Sequence, residues 1–381
     1  MAGLERLKQC GSRAEALRVF LGLLWENGER IERSRKKVAD IYSFATPEAP
    51  YYEFALNDCP YEASRWVVSE DDMRLDRAVQ GIAWQMEAAP AMDYIPAVTV
   101  GALDSGLIAR VLGSDVRATP DGGAVVERYA LKGADSDVAA LLEIDPLQNA
   151  EVREILRQTA YWADCFGGAV DIVYPQMQGS FSNIVRLMPQ EEALVASLAE
   201  PEKIRRLALH IAGMIARIIR AFRAAGEGGS LRARLRLPPP PGVKGLFVDD
   251  YVSVLRPADF LSLNIDAYRL MADAFGGTFL HTCGPVSQCA GILPELPGIV
   301  GFETCFVEKQ HKTTAQLEKL KAGMYNRIVV GSFALPFGQP VEDMENLTDE
   351  WLKKMSRGGG FMMQSSGTVG EAAEIAEKLK L

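Results

Sequence analysis

From about residue 95 onward, short apolar runs alternate with amphipathic helical stretches at intervals of roughly 20 to 30 residues, and this rhythm limits the possible folds more than any other feature. Strands are expected at 95–100, 168–174, 245–250, 277–281, 298–303, 327–331 and 360–364. Helices are expected between and after them, at 151–166, Pro201–Ala225, Pro257–Phe275, 286–293, 313–322, 349–354 and 371–379. The run 124–130 reads as one arm of a hairpin entered through the turn Pro120-Asp-Gly-Gly. Strands separated by a helix lie parallel and are joined by right-handed crossovers. About seven such units over residues 91–381 predict an α/β fold of the (β/α)8 barrel type rather than a doubly wound sheet. The glycines at Gly358-Gly-Gly and Gly367-Thr-Val-Gly flank the last strand and read as tight turns, because neither segment has the spacing of a dinucleotide loop.

Residues 1–90 read as an N-terminal helical extension, with helical periodicity at 14–24 and 71–86. Turns at Ala49-Pro-Tyr-Tyr and Asp58-Cys-Pro-Tyr mark an irregular connection between them. A Pro/Gly-rich stretch at 226–244 includes Pro238 to Pro241. It reads as an insertion in the barrel, since the strand–helix rhythm resumes unchanged after it.

The chain of 381 residues has 41 basic and 50 acidic side chains, a formal charge of −9. An acidic protein repels phosphate backbones, which argues against a nucleic-acid partner. The basic stretches 30–37 and 232–236 are short and read as solvated surface. The most apolar window, 207–222, contains His210, Arg217 and Arg220 and is too short for a membrane span. The first ten residues carry charges at Glu5, Arg6 and Lys8 and have no leader-like apolar run, so a cytoplasmic protein with reduced cysteines is expected.

Chemistry concentrates at Phe279-Leu-His-Thr-Cys-Gly284. Side chains two apart in a strand share a side, so His281 and Cys283 both face one end of the sheet. Cys305 follows after one further turn, helix and strand. It is expected at the same end of the neighbouring strand, about 5 Å away. One imidazole and two thiolates suit zinc, and three protein ligands leave a fourth position open for substrate. Asp249 and Asp250 end the preceding strand, and Glu303 stands two before Cys305. These carboxylates are candidates for proton transfer, ligand orientation or a further metal bond. Tyr251, Gln176 and Gln178 follow strand ends and are candidate substrate-binding residues. Cys289 falls in the next helix, while Cys10, Cys59 and Cys165 lie on elements that do not converge on this place; His210 and His311 have no partner that spacing identifies.

The run from Leu246-Phe-Val-Asp-Asp-Tyr to Phe260, followed by a helix and Gly276-Gly-Thr-Phe-Leu-His-Thr-Cys-Gly284, resembles the uroporphyrinogen decarboxylase superfamily. Within it the likeness is best to the zinc-dependent, corrinoid-linked methyltransferases, which carry a His-x-Cys-Gly turn at this point. The similarity spans roughly 165–381. The Arg-rich amino-terminal signature of the porphyrinogen decarboxylases is missing, which argues against their reaction. Many methylcobamide:coenzyme M methyltransferases have a third zinc ligand, a cysteine, near the last strand. Here that stretch reads Met362-Met-Gln-Ser-Ser-Gly367, so the third ligand is Cys305, as in some ether-cleaving relatives, or the site has lost zinc.

The resemblance implies a methyltransferase that moves a methyl group between a small O- or S-methylated substrate, or a thiol, and a cobamide. The chain has no Asp-x-His-x-x-Gly segment to ligate cobalt, so the cobamide is expected on a separate corrinoid protein. Two other readings remain open. One is a metal-free decarboxylase or lyase with Asp249 or Asp250 as acid and His281 as hydrogen-bond donor; the other is a binding subunit that has lost activity.

Overall fold

A computed structural model describes residues 2–101, 105–119, 124–133, 138–232, 238, 245–284, 291–306, 314–324, 327–334 and 347–381. The expected turn at 120–123, most of the 226–244 insertion, the start of the 286–293 helix, Cys289 and His311 lie outside the described residues.

The amino-terminal segment forms α1 (Ala2–Gln9), α2 (Arg13–Glu26), α3 (Gly28–Tyr42), β1 (Tyr52–Leu56) and α4 (Glu70–Ala88). Ser12 caps α2 by accepting from the Glu15 amide, and Ser69 caps α4 by accepting from the Asp72 amide. Each such cap is worth about 1 kcal/mol. At the other end of α4 the Arg30 guanidinium donates to the carbonyls of Met86, Ala89 and Met92 at 2.7–3.0 Å. Lys37 is equally committed, with Nζ 2.9 and 3.0 Å from the two carboxylate oxygens of Asp93. The stretch 30–37, expected as solvated helix or loop surface, is a helix, but its inner cations tie α3 to the end of α4 and to Asp93. This segment, expected to be helical, also supplies a strand, β1. Tyr52 and Phe54 pack outward from it, and the buried Glu53 between them accepts from the Tyr51 hydroxyl at 2.6 Å.

The remaining strands are β2 (Ala97–Thr99), β3 (Asp115–Ala118), β4 (Ala124–Arg128), β5 (Asp171–Val173), β6 (Ser230–Arg232), β7 (Gly245–Val248), β8 (Thr278–Thr282), β9 (Ile299–Phe306), β10 (Val329–Ala334) and β11 (Phe361–Gly367). The helices among them are α5 (Leu107–Val111), α6 (Ala139–Leu142), α7 (Ala150–Phe166), α8 (Ser180–Leu187), α9 (Gln190–Ala199), α10 (Pro201–Ala225), α11 (Pro257–Phe275), α12 (Thr314–Met324), α13 (Asp349–Ser356) and α14 (Val369–Leu379).

A six-stranded parallel sheet has the order β1-β11-β10-β9-β8-β7, so the first strand of the chain lies beside the last. A three-stranded parallel sheet has the order β2-β5-β6, and β3 and β4 form the expected hairpin. Among the described residues, backbone contacts link the two parallel sheets at two places. These are the bridge Glu53–Asp93, and the Gly179 amide donating to the Val248 carbonyl at 2.7 Å. The fold is therefore mixed α/β with mostly parallel sheets. No continuous ladder closes them into a ring among the described residues.

Helix α10 buries a stripe through Ile204, Leu207, Ile211, Ile215, Ile218 and Phe222 and packs along α7, α8 and α11. This accounts for the apolar window at 207–222: it faces protein. No helix among the described residues is long and apolar enough to cross a membrane. Helix α11 starts at Pro257 and stops at Gly276, and Tyr268 on it meets Phe247 of β7 edge to face at 4.7 Å. The turn at Gly358-Gly-Gly has positive φ at all three residues, and a Cβ on Gly359 would press on the backbone of Phe44 and Ala45. Only glycine meets both demands there.

Candidate metal centre

Strands β7, β8 and β9 run side by side, with Val248 opposite His281 and His281 opposite Glu303. The Asp249 amide donates to the His281 carbonyl at 3.0 Å, which extends the pairing past the end of β7. Asp250 then opens a short 3-10 turn, Asp250–Ser253, beside the Thr282-Cys283-Gly284 turn that leaves β8.

Asp250 organises that turn. Its Oδ1 accepts from the Cys283 amide at 2.6 Å and from the Thr282 hydroxyl at 3.2 Å. Thr282 in turn accepts from the Gly284 amide at 3.1 Å. A side chain at Gly284 would collide with Ser253, so glycine is required for this close approach.

His281 is buried, and its two ring nitrogens have different neighbours. Nδ1 lies 2.8 Å from Glu303 Oε1 and Nε2 lies 3.3 Å from Cys283 Sγ. With Nδ1–H donated to the fully buried Glu303, Nε2 is the nitrogen aimed at the Cys283 side, and it offers a lone pair there once its proton is displaced. Burial works against charging this imidazole, but its hydrogen bonds to Cys283 and Glu303 and their charges outweigh that and raise its pKa to about 9. Cys283 itself is exposed, so the paired groups open outward on the sulfur side.

The donor atoms of Asp250, His281 and Cys283 all lie within 4.8 Å of one another. Imidazole nitrogen, thiolate sulfur and carboxylate oxygen are each zinc donors. Bonds of about 2.0 Å to nitrogen and 2.3 Å to sulfur at a tetrahedral angle put those donors about 3.5 Å apart. The observed 3.3 Å between Nε2 and Sγ fits. A carboxylate behind the non-ligating nitrogen is the usual support of a metal-bound histidine.

Asp249, adjacent in sequence, faces elsewhere. It is fully buried, and its carboxylate accepts from the Ser182 hydroxyl at 2.9 Å and the Phe181 amide at 3.2 Å, at the start of α8. Burial pushes its pKa up to about 7 against these hydrogen bonds. Tyr251 is half-buried with its ring 5.2 Å from that of Phe181. Gln176 is half-buried; Gln178 is buried with φ +59, and its Oε1 has no hydrogen-bond partner among the described residues. Cys305 lies on β9 two residues beyond Glu303, and its side chain falls outside the described residues. Thr282 and Ser182, which hold the two aspartates, were not singled out from the sequence. Ser182 is 67 positions from Asp249, and no spacing rule connects them.

The fold and this cluster together give a mixed α/β protein with mostly parallel sheets and a group of three donors at strand ends that could hold a metal ion. No family model and no curated protein matches the sequence. Among solved structures, a methyltransferase from Methanosarcina mazei is similar in fold, with a TM-score of 0.63 at 14% identity over 91% of this chain and 98% of that one.

Proposed function

We propose that this chain is a zinc-dependent methyltransferase working with a cobamide on a separate corrinoid protein, and that its two parallel sheets are parts of one β/α barrel. The observation that carries this is the His281–Cys283 pair, with Glu303 behind the imidazole and Asp250 under the turn. The fold likeness to a methyltransferase agrees with it. His281, Cys283 and either Asp250 or Cys305 would hold the ion, with a position left for the substrate heteroatom. When bound, zinc supplies Lewis-acid polarisation of an ether or thioether, or holds a substrate thiol as its thiolate.

The protein's own groups have separable tasks. Glu303 fixes the tautomer and direction of His281. Asp250 fixes the Cys283 backbone and so the place of the sulfur. Asp249, turned to α8, anchors the strand end that carries Asp250. The test is transfer itself: methylcobalamin is incubated with the protein and a panel of small thiols, and loss of the methyl–cobalt absorbance is followed. Turnover abolished by chelation and restored by zinc supports the reading. Turnover that resists chelation contradicts the zinc requirement, and absence of transfer by the zinc-loaded protein across the panel contradicts the methyltransferase reading.

A further inference from the structure

Away from the metal centre, the two parallel sheets separate. Above the bridge at Glu53–Asp93, β1 and β2 form no ladder with each other among the described residues, and a cleft of about 890 Å³ lies between them, walled by α4 and α7. That volume is within the range of small-molecule sites.

The two strand edges in the cleft are treated differently. On β1, Gln85 of α4 takes the place of a neighbouring strand: its Oε1 accepts from the Leu56 amide at 2.8 Å and its Nε2 donates to the Phe54 carbonyl at 2.5 Å. Among the described residues no strand pairs with the outer edge of β2. Pro96 and Val100 bond to β5, through Asp171 N to Pro96 O and Val100 N to Val173 O. In a parallel ladder alternate residues address opposite neighbours, so Ala97 and Thr99 direct N–H and C=O into the cleft, which both of them line. Ala97 is half-buried and Thr99 exposed, so solvent reaches this edge.

The floor is apolar, with Ile82, Val98, Ile155 and Trp162 all buried. At the rim, Arg157 of α7 pairs with Asp71 of α4 at 2.8 Å, and Arg74 lies 3.7 Å from Glu154. Arg77 also lines the cleft. Its guanidinium lies over the Tyr61 ring at 4.9 Å, and it forms no ion pair among the described residues.

We infer that this cleft binds a short free peptide with a free carboxyl terminus. The peptide backbone adds to the outer edge of β2 at Ala97 and Thr99, an apolar side chain enters the floor, and the carboxylate meets Arg77. Main-chain hydrogen bonds to a sheet edge supply affinity, and the pocket and cation select the ligand. The inference is independent of the metal centre.

The test is calorimetric titration of the full chain with acetyl-Leu-Leu as free acid and as carboxamide. The free acid is expected to bind saturably, with a Kd below about 1 mM. The carboxamide, and the free acid on Arg77→Gln, should each bind at least tenfold more weakly. Thr99→Pro removes one edge donor without breaking a ladder bond and should abolish binding while leaving the melting temperature near that of the wild type. Absence of saturable binding to the wild type overturns the inference, as does equal affinity of acid and amide or indifference to both substitutions.

Discussion

Glu303 Oε1 lies 2.8 Å from His281 Nδ1, both side chains buried, so a carboxylate that solvent does not reach sets which imidazole nitrogen faces Cys283. Supports of this kind are typically worth ten- to a hundredfold in metal affinity. Glu303→Gln is therefore expected to weaken zinc binding by about that factor, read by competition with a chromophoric chelator, while zinc still binds. Unchanged affinity would remove Glu303 from the site.

Arg30 closes the carboxyl-terminal end of α4 with three carbonyl contacts. Charged hydrogen bonds and the helix dipole both act there. Arg30→Met should lower stability by about 2 kcal/mol in urea unfolding, since carbonyls lose their donor and water replaces it incompletely. A loss below about 0.5 kcal/mol would mean the cation is ordinary surface.

Gly359 and Gly360 both have positive φ, but their surroundings differ. A methyl on Gly359 meets the backbone of Phe44 and Ala45, whereas one on Gly360 meets chiefly the Phe44 ring, which can move. Gly359→Ala should cost at least about 2 kcal/mol, the left-handed penalty with collision added. Gly360→Ala should cost visibly less, and thermal melts of the two proteins compare them directly.

His210 on α10 has its pKa lowered by burial, offset in part by its hydrogen bond to the Leu141 carbonyl, with Arg217 and Glu143 as opposing charged neighbours. Its folded value lies below the ordinary one, so the unfolded chain binds the proton more readily. Stability should fall as pH drops through about 6.5 and stop falling below the depressed folded value. His210→Gln should flatten that part of the profile, measured as urea midpoints between pH 7.5 and 5. Parallel profiles would contradict the assignment.

How much of this was legible in the sequence depends on where each element finds its partners. Helix α11 matches its expected bounds because Pro257 and Gly276 punctuate it locally. Strands β8 and β9 were legible as apolar runs, and with them the approach of His281 and Cys283. Strand β1 was missed because the buried Glu53 interrupts its apolar pattern and its pairing with β11 is more than 300 residues distant. Helix α8 was missed because its N-cap is Gly179, which offers no side-chain cap. The aspartate pair shows the limit at the site. Adjacency suggested a shared role, but successive side chains part company at a strand end, and only Asp250 reaches the His281–Cys283 pair.

The most direct test of the central claim is zinc stoichiometry by plasma mass spectrometry on the wild type beside His281→Ala, Cys283→Ser, Asp250→Ala and Cys305→Ser. The account predicts about one zinc per wild-type chain. It predicts loss of zinc from the first two variants and from at least one of the last two. A wild type that stays at background after zinc loading, or a Cys283→Ser protein that keeps its full complement, would contradict it.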